Sequence, residues 1–205
     1  MNRAILILGP TGSGKTPLGD ELQRQGWGGH RCVHFDFGER MRRLAGARTP
    51  PPGLSGDDLN LMREALESGR LLTDGEFHLV MKIFNIFTIE ESVGARDLVI
   101  LNGMPRHAGQ VRDVAGLTDI RLVVVLEAAG ETILERIRRD TGGDRVGRSD
   151  DEPDRIGERL ARYEDRTRPL IAHFRALGTS IVTLPVEADT TATDLAVRLG
   201  RMTLD

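Results

Sequence analysis

Gly9-Pro10-Thr11-Gly12-Ser13-Gly14-Lys15-Thr16 is a glycine-rich run ending in a cation and a hydroxyl, a combination suited to gripping a chain of phosphates. Glycines let the backbone close around an anion and turn successive N–H groups inward. Lys15 can bring a full charge to the β- and γ-phosphates, and the Thr16 hydroxyl can ligate Mg²⁺. The spacing is that of a P-loop, and the apolar stretch Ala4–Leu8 just before it supplies the strand that the motif requires. A helix starting near Lys15 would aim its positive N-terminal end at the same spot. Lys15 and Lys82 are the only lysines in a chain that otherwise uses arginine, so a lysine at position 15 reads as a requirement.

Three further groups place arginines beside segment ends. Phe37-Gly38-Glu39-Arg40-Met41-Arg42 follows the apolar stretch Cys32–Phe35, and Asn102-Gly103-Met104-Pro105-Arg106, with Gln110 behind it, follows Leu98–Leu101. Arg148-Ser149-Asp150-Asp151, then Arg159 and Tyr163, straddle a polar, glycine-bearing stretch at 140–150. Planar guanidinium groups bind phosphate oxygens bidentately, which suits them to phosphoryl transfer. The cluster Arg40, Arg42 and Arg43 is available for small anions.

Five short apolar runs (Ala4–Leu8, Cys32–Phe35, Leu98–Leu101, Leu122–Leu126, Ile181–Leu184) read as buried strands. Helical patterns fall between them at Lys15–Gln25, Asp57–Ser68, Thr73–Val93, Glu131–Arg139 and Pro153–Leu177, with a last one at Ala192–Met202. Thr73 with Glu76 forms a capping box, and Gly69 and Gly178 stand at helix C-caps. Such alternation predicts an α/β fold, a five-stranded parallel sheet with helices on both faces and ligands at the carboxyl ends of its strands. The segment at 45–56, with Pro50-Pro51-Pro52, and the one at 140–150 interrupt the alternation as loops.

The 205 residues suffice for one domain with a full core. A net charge of −3 argues against a general nucleic-acid binder. Cys32 is the lone cysteine, expected as a buried small residue. No run approaches the ~20 apolar residues of a membrane span, and no basic-then-apolar leader opens the chain. A cytoplasmic protein without membrane or nucleic-acid partners is expected.

With these residues in place, the sequence resembles the adenylate kinase family of nucleoside monophosphate kinases, over nearly its whole length. The resemblance is carried by the P-loop, by Gly103-Met104-Pro105-Arg106 with Gln110, by Ser68-Gly69-Arg70-Leu71-Leu72-Thr73-Asp74, and by Arg148-Ser149-Asp150-Asp151 with Arg159 and Tyr163. It implies a P-loop NTPase fold with a helical acceptor-binding insert at 37–93 and a short lid at 140–150. It also implies Mg²⁺-dependent transfer from ATP to a nucleoside monophosphate, AMP first, by a monomer. Gly12, Ser13, Gly14, Lys15 and Thr16 would hold ATP, with Arg136 stacked on its base. Phe37, Arg42, Leu71, Gly103, Arg106 and Gln110 would form the acceptor site, Arg42 and Arg106 on the phosphate and Gln110 on the base. Lys15, Arg106, Arg148 and Arg159 would converge on the moving phosphoryl group, with Asp150 and Asp151 orienting the lid.

The chain departs from the family in three places. Asn102 stands where the family has a metal-supporting aspartate, with Asp36 as the nearest acid to compensate; Thr16, followed by Pro17, takes the metal-ligand position; Phe37 replaces a small hydroxyl residue beside the acceptor base. A small P-loop kinase with a hydroxyl acceptor, and a nucleotide-sensing module with weak turnover, fit parts of the same pattern. Arg139 or Arg145 could stand in for a lid arginine whose place is taken by Asp140.

Overall fold

The computed structural model describes residues 1–144 and 153–201. Among them, five parallel strands, β1 (Asn2–Leu8), β2 (Cys32–Asp36), β3 (Leu98–Asn102), β4 (Thr118–Glu127) and β5 (Ser180–Pro185), form one sheet in the order β2-β3-β1-β4-β5. This is the expected α/β architecture. β1 is central, and its apolar run Ala4–Leu8 is at most 3% exposed because both faces are covered. Ile5 and Ile7 pack toward Leu18 and Leu22 of α1 (Lys15–Gln25) and Leu195 and Leu199 of α9 (Ala192–Gly200). Ala4, Leu6 and Leu8 join the opposite core, built on α2 (Phe37–Ala45), α3 (Gly56–Ser68) and α4 (Phe77–Glu90). Phe35 anchors that layer, its ring centroid 5.1 Å from Phe84 and 4.9 Å from Phe87.

The register sets the functional end of the sheet. Ile7 pairs with Asn102, and Asn102 pairs with Asp36, so the carboxyl ends of β1, β3 and β2 finish level. β4 extends further than its apolar centre predicts, because Thr118–Ile120 pair with Asn2–Ala4 ahead of a register shift.

Several helices differ from the sequence expectation. α2 starts with no loop after β2, since Asp36 Oδ1 accepts the Glu39 N–H at 2.9 Å and caps it. The long helix expected at 153–177 is instead α7 (Pro153–Arg162), a π-helical turn at Tyr163–Thr167 and α8 (Pro169–Ala176). Pro169 has no N–H to continue a regular ladder, and Arg168 N–H closes a wide turn onto the Tyr163 carbonyl at 2.8 Å. The pattern at 73–93 begins with a 3₁₀ turn, Asp74–Glu76, held by the Thr73–Glu76 capping box. α5 (Val111–Val114) and α6 (Gly130–Arg139) flank β4. No helix among the described residues is long and apolar enough to cross a membrane.

Candidate functional site

The P-loop joins β1 to α1 at the level carboxyl ends. Gly12 and Gly14 take left-handed conformations, φ +78° and +94°, which glycine adopts without strain. A Cβ on Gly12 would also meet Ile137 at 2.8 Å. The loop is drawn together on the Pro10 carbonyl, which accepts the Ser13 N–H, the Ser13 hydroxyl at 2.9 Å and Lys15 Nζ at 2.7 Å. Ser13 is fully buried, so its hydroxyl serves the loop and its side chain does not reach the cavity.

Above the loop lies a cavity of about 110 Å³, lined by Gly12, Gly14, Lys15, Thr16, Asp36 and Asn102, together with Arg42, Arg106 and Arg159. A second cavity of about 390 Å³ opens beside it, with Phe37, Met41, Leu72, Val80 and Met104 giving it an apolar lining. Arg42, Arg106 and Arg159 line both, with Gly38, Gly103, Tyr163 and Thr167. Three guanidinium groups drawn from α2, the loop after β3, and α7 therefore meet at the junction of the two spaces.

Arg106 shows the cost of this convergence. It is exposed to the cleft, and crowding by the cleft walls withdraws it from bulk water enough to push its pKa down to about 10. Arg159, Arg162 and Arg42 push the same way, while Asp36 pulls it up. Arg106 stays charged at neutral pH, and an anion at the junction would relieve the repulsion. Thr167 Oγ1 donates to the Arg106 carbonyl at 2.9 Å and Arg106 Nε donates to the Gly103 carbonyl at 3.0 Å, which fix the residue in place.

On the floor, three polar side chains close a ring. Thr16 Oγ1 donates to Asp36 Oδ2 at 2.6 Å, and Asn102 Nδ2 donates to Asp36 Oδ2 at 2.8 Å and to Thr16 Oγ1 at 3.1 Å. Burial raises the Asp36 pKa, but the Thr16 hydroxyl, the Glu39 N–H and the charges of His34 and Arg42 outweigh it and hold the carboxyl below its ordinary value.

In the second cavity Gln110 is 3% exposed. Its Oε1 accepts the Arg106 N–H at 2.8 Å and its Nε2 donates to the Leu72 carbonyl at 3.2 Å, so the amide is held in one orientation. Leu71 and Gly103 line the same space. Phe37 is nearly buried, its ring 6.3 Å from Phe35, with its surface at the cavity wall.

Other expected residues lie elsewhere. Arg136 does not line the phosphate cavity; it is 4% exposed and spans from the P-loop to the β5–α9 loop. Its Nε donates to the Gly12 carbonyl at 3.0 Å, and its Nη1 to the carbonyls of Glu187 at 2.7 Å and Thr190 at 2.8 Å. Arg40 and Arg43 do not line either cavity: Arg40 sits 4.5 Å over the Phe87 ring and pairs with Glu90 and Glu91, and Arg43, half-exposed, pairs with Glu90. Arg138 and Arg139 both pair with Glu135. Arg145, Arg148, Asp150 and Asp151 lie outside the described residues. Cys32 is buried, and burial pushes its thiol up to about 11, as expected of an inert core residue. Thr167 and Arg162 were not marked by the sequence; Arg162 Nη1 donates to the Gly69 carbonyl at 2.6 Å and ties α7 to the end of α3.

Comparison with known proteins identifies relatives of this chain. A family model described as an AAA domain matches residues 8–157, from the P-loop into α7. An adenylate kinase of Prochlorococcus marinus (strain MIT 9303) is 31% identical over 186 residues, covering 87% of each chain. Another from strain MIT 9211 is 27% identical over 204 residues, covering 97% of this chain and 96% of its own. One from Xylella fastidiosa (strain M23) is 28% identical over 182 residues, covering 85% and 86%. With its glycine-loop cavity, its arginine junction and relatives of matching length, the chain belongs to the adenylate kinase family and is a nucleoside monophosphate kinase, a phosphotransferase of the P-loop fold.

Proposed function

We propose that this chain transfers the terminal phosphoryl group of Mg²⁺-bound ATP to AMP, yielding two ADP. The observation that carries this reading is the shared edge of the two cavities, where Arg42, Arg106 and Arg159 meet. Phosphoryl transfer asks little covalent chemistry of a protein; it asks for in-line placement and positive charge around the moving group. Donor phosphates on the P-loop, with Lys15, would point their terminal group at that edge. An acceptor whose base fills the larger cavity would bring its own phosphate there from the other side, held by Arg42 and Arg106. Arg159 would then face both.

The fixed amide of Gln110 favours adenine as the acceptor base. After its bonds to Arg106 and Leu72 it keeps one N–H and one lone pair. Adenine offers an amino donor beside a ring acceptor, which pairs with a side-chain amide in the way seen when glutamine reads that base. Phe37, Met41 and Met104 supply the apolar faces between which a flat ring can lie. On the donor side, Arg136 braces the P-loop carbonyl of Gly12 and the β5–α9 loop.

The floor of the cavity fits Mg²⁺. Thr16 gives its proton to Asp36, which leaves an oxygen lone pair for a cation. Thr16, with Asp36 and Asn102 behind it, would hold the metal, which when bound would supply positive charge against the charge that develops in transfer. The hydroxyl-kinase alternative needs Asp36 to receive an acceptor proton, but Thr16, Asn102 and the Glu39 N–H all donate to that carboxylate and hold its pKa below the ordinary value, which makes it a weak base.

A coupled assay with Mg-ATP and a panel of nucleoside monophosphates, run beside sugar and hydroxy-acid acceptors, tests the reading. Fast ADP formation with AMP is expected, with Lys15→Ala lowering kcat by about 10³ or more while leaving the thermal unfolding curve in place. Turnover confined to hydroxyl acceptors, or substantial activity in Lys15→Ala, would overturn it.

A further inference from the structure

Asn102 ends β3 where a P-loop enzyme usually keeps the acid that supports its metal. The side chain facing it across the β2–β3 pair, in register, is Asp36. We infer that Asp36 is the metal-ordering carboxylate of this enzyme, the negative charge having moved one strand sideways from β3 to β2. The inference rests on the Mg-ATP phosphotransferase reading above and names the residue that serves its cation.

Three observations point this way. Asp36 is the carboxylate that accepts the Thr16 hydroxyl, at 2.6 Å, so it orients the very oxygen that would meet the metal. It lines the phosphate cavity although it is only 7% exposed, so its charge is directed at that space and largely shielded elsewhere. Asn102 complements it: the amide donates to Asp36 at 2.8 Å and to Thr16 at 3.1 Å, which ties the group together with neutral hydrogen bonds. An aspartate at 102 would set two carboxylates within that same distance, and such a pair holds on to a proton. Asparagine is therefore the residue that an acid at position 36 calls for. A purely structural role for Asp36, capping α2, would not need the charge, since asparagine or serine caps as well.

Asp36 acts here as a positioning residue, holding Thr16 and the cation's surroundings. The test compares the full-length chain with Asp36→Asn, Asn102→Asp and the double swap. Calorimetry of ATP binding is run with and without Mg²⁺, and electron paramagnetic resonance follows Mn²⁺ bound in the presence of ATP. Asp36→Asn should bind metal-free ATP at least as tightly as the parent, since a negative charge facing the phosphates is gone, yet need about tenfold or more cation to bind Mg-ATP or Mn-ATP, the usual loss when a supporting group near a metal is removed. Asn102→Asp alone should also weaken the cation, and the double swap should recover to within about threefold of the parent. Should Asp36→Asn unfold, Asp36→Ser keeps the helix cap and removes the charge. Unchanged metal dependence in either neutral variant, or a double swap no better than Asp36→Asn, would overturn the inference and leave the phosphotransferase reading standing. A parent chain whose ATP-to-AMP transfer ignores Mg²⁺ would overturn both.

Discussion

Arg136 offers a sharp test, because two assignments of it predict different things. The family resemblance places its guanidinium on the donor base, whereas its hydrogen bonds make it a strut between the P-loop and the β5–α9 loop. Arg136→Met keeps the length and the apolar stem but removes its donor contacts, the three shortest being to Gly12 at 3.0 Å, Glu187 at 2.7 Å and Thr190 at 2.8 Å. Charge-assisted bonds of this kind are worth about 1.5 to 3 kcal/mol each, and the carbonyls left behind lose their partners in a region where Arg136 is 4% exposed. Against this stands the cost of burying the cation, which lowers its own pKa despite Asp144 and Asp189 nearby. The net loss should be about 3 to 5 kcal/mol, or roughly 10 °C in Tm for a chain of this size. Urea unfolding at pH 7 reads the stability, and the KM for ATP should rise with it as the Gly12 carbonyl comes loose. Arg136→Lys should recover less than half, since one ammonium cannot reach all three carbonyls. A stability loss under about 1 kcal/mol with only ATP affinity changed would refute the strut and leave base stacking as its task.

Two further expectations concern the frame. Gly19→Ala, ordinarily worth up to about 1 kcal/mol of gain within a helix, should instead destabilise by about 1 to 2 kcal/mol. Its Cβ would lie 2.3 Å from Nε2 of the His34 ring, which is buried and held by Asp20 at 2.8 Å; urea titration should show the loss, and adding His34→Ala should relieve it. Glu76 carries a pH-dependent share of stability. The paired bonds from Arg70, aided by Thr73 and opposed by partial burial, push its carboxyl down to about 2 from an ordinary 4.5. Because the folded value is the lower one, the contribution is complete above about pH 4.5 and fades as pH falls toward 2. Solvent screening trims it to about 1 to 2 kcal/mol, so Glu76→Gln should lose that much at pH 7 and unfold with a flatter acid limb between pH 5 and pH 2.

The parts of the site that were legible in the sequence are those whose chemistry is local. Lys15 and Thr16 stand in a contiguous motif, and the strand before them fixes where the loop opens. Arg42, Arg106 and Gln110 follow short apolar runs, so once the sheet is parallel and β2, β3 and β1 are neighbours, they must arrive at one end together. What could not be read depends on partners far apart in the chain. Nothing in the sequence near Arg40 announces Glu90 and Glu91, which bury it away from any ligand. Arg136 bonds to backbone carbonyls, and a carbonyl leaves no mark on residue type, so the same arginine reads equally well as a base-stacking group or a brace. The break at Tyr163–Thr167 turns on how the chain closes around Pro169, where helical periodicity runs on unbroken. Asp36 and Asn102 lie between these extremes. Each was visible alone, one as a compensating acid and the other as a missing acid, but only the strand register sets them face to face and makes the substitution at 102 a consequence of the charge at 36. A departure from a family pattern is therefore best weighed against the residue that lies opposite it in the sheet.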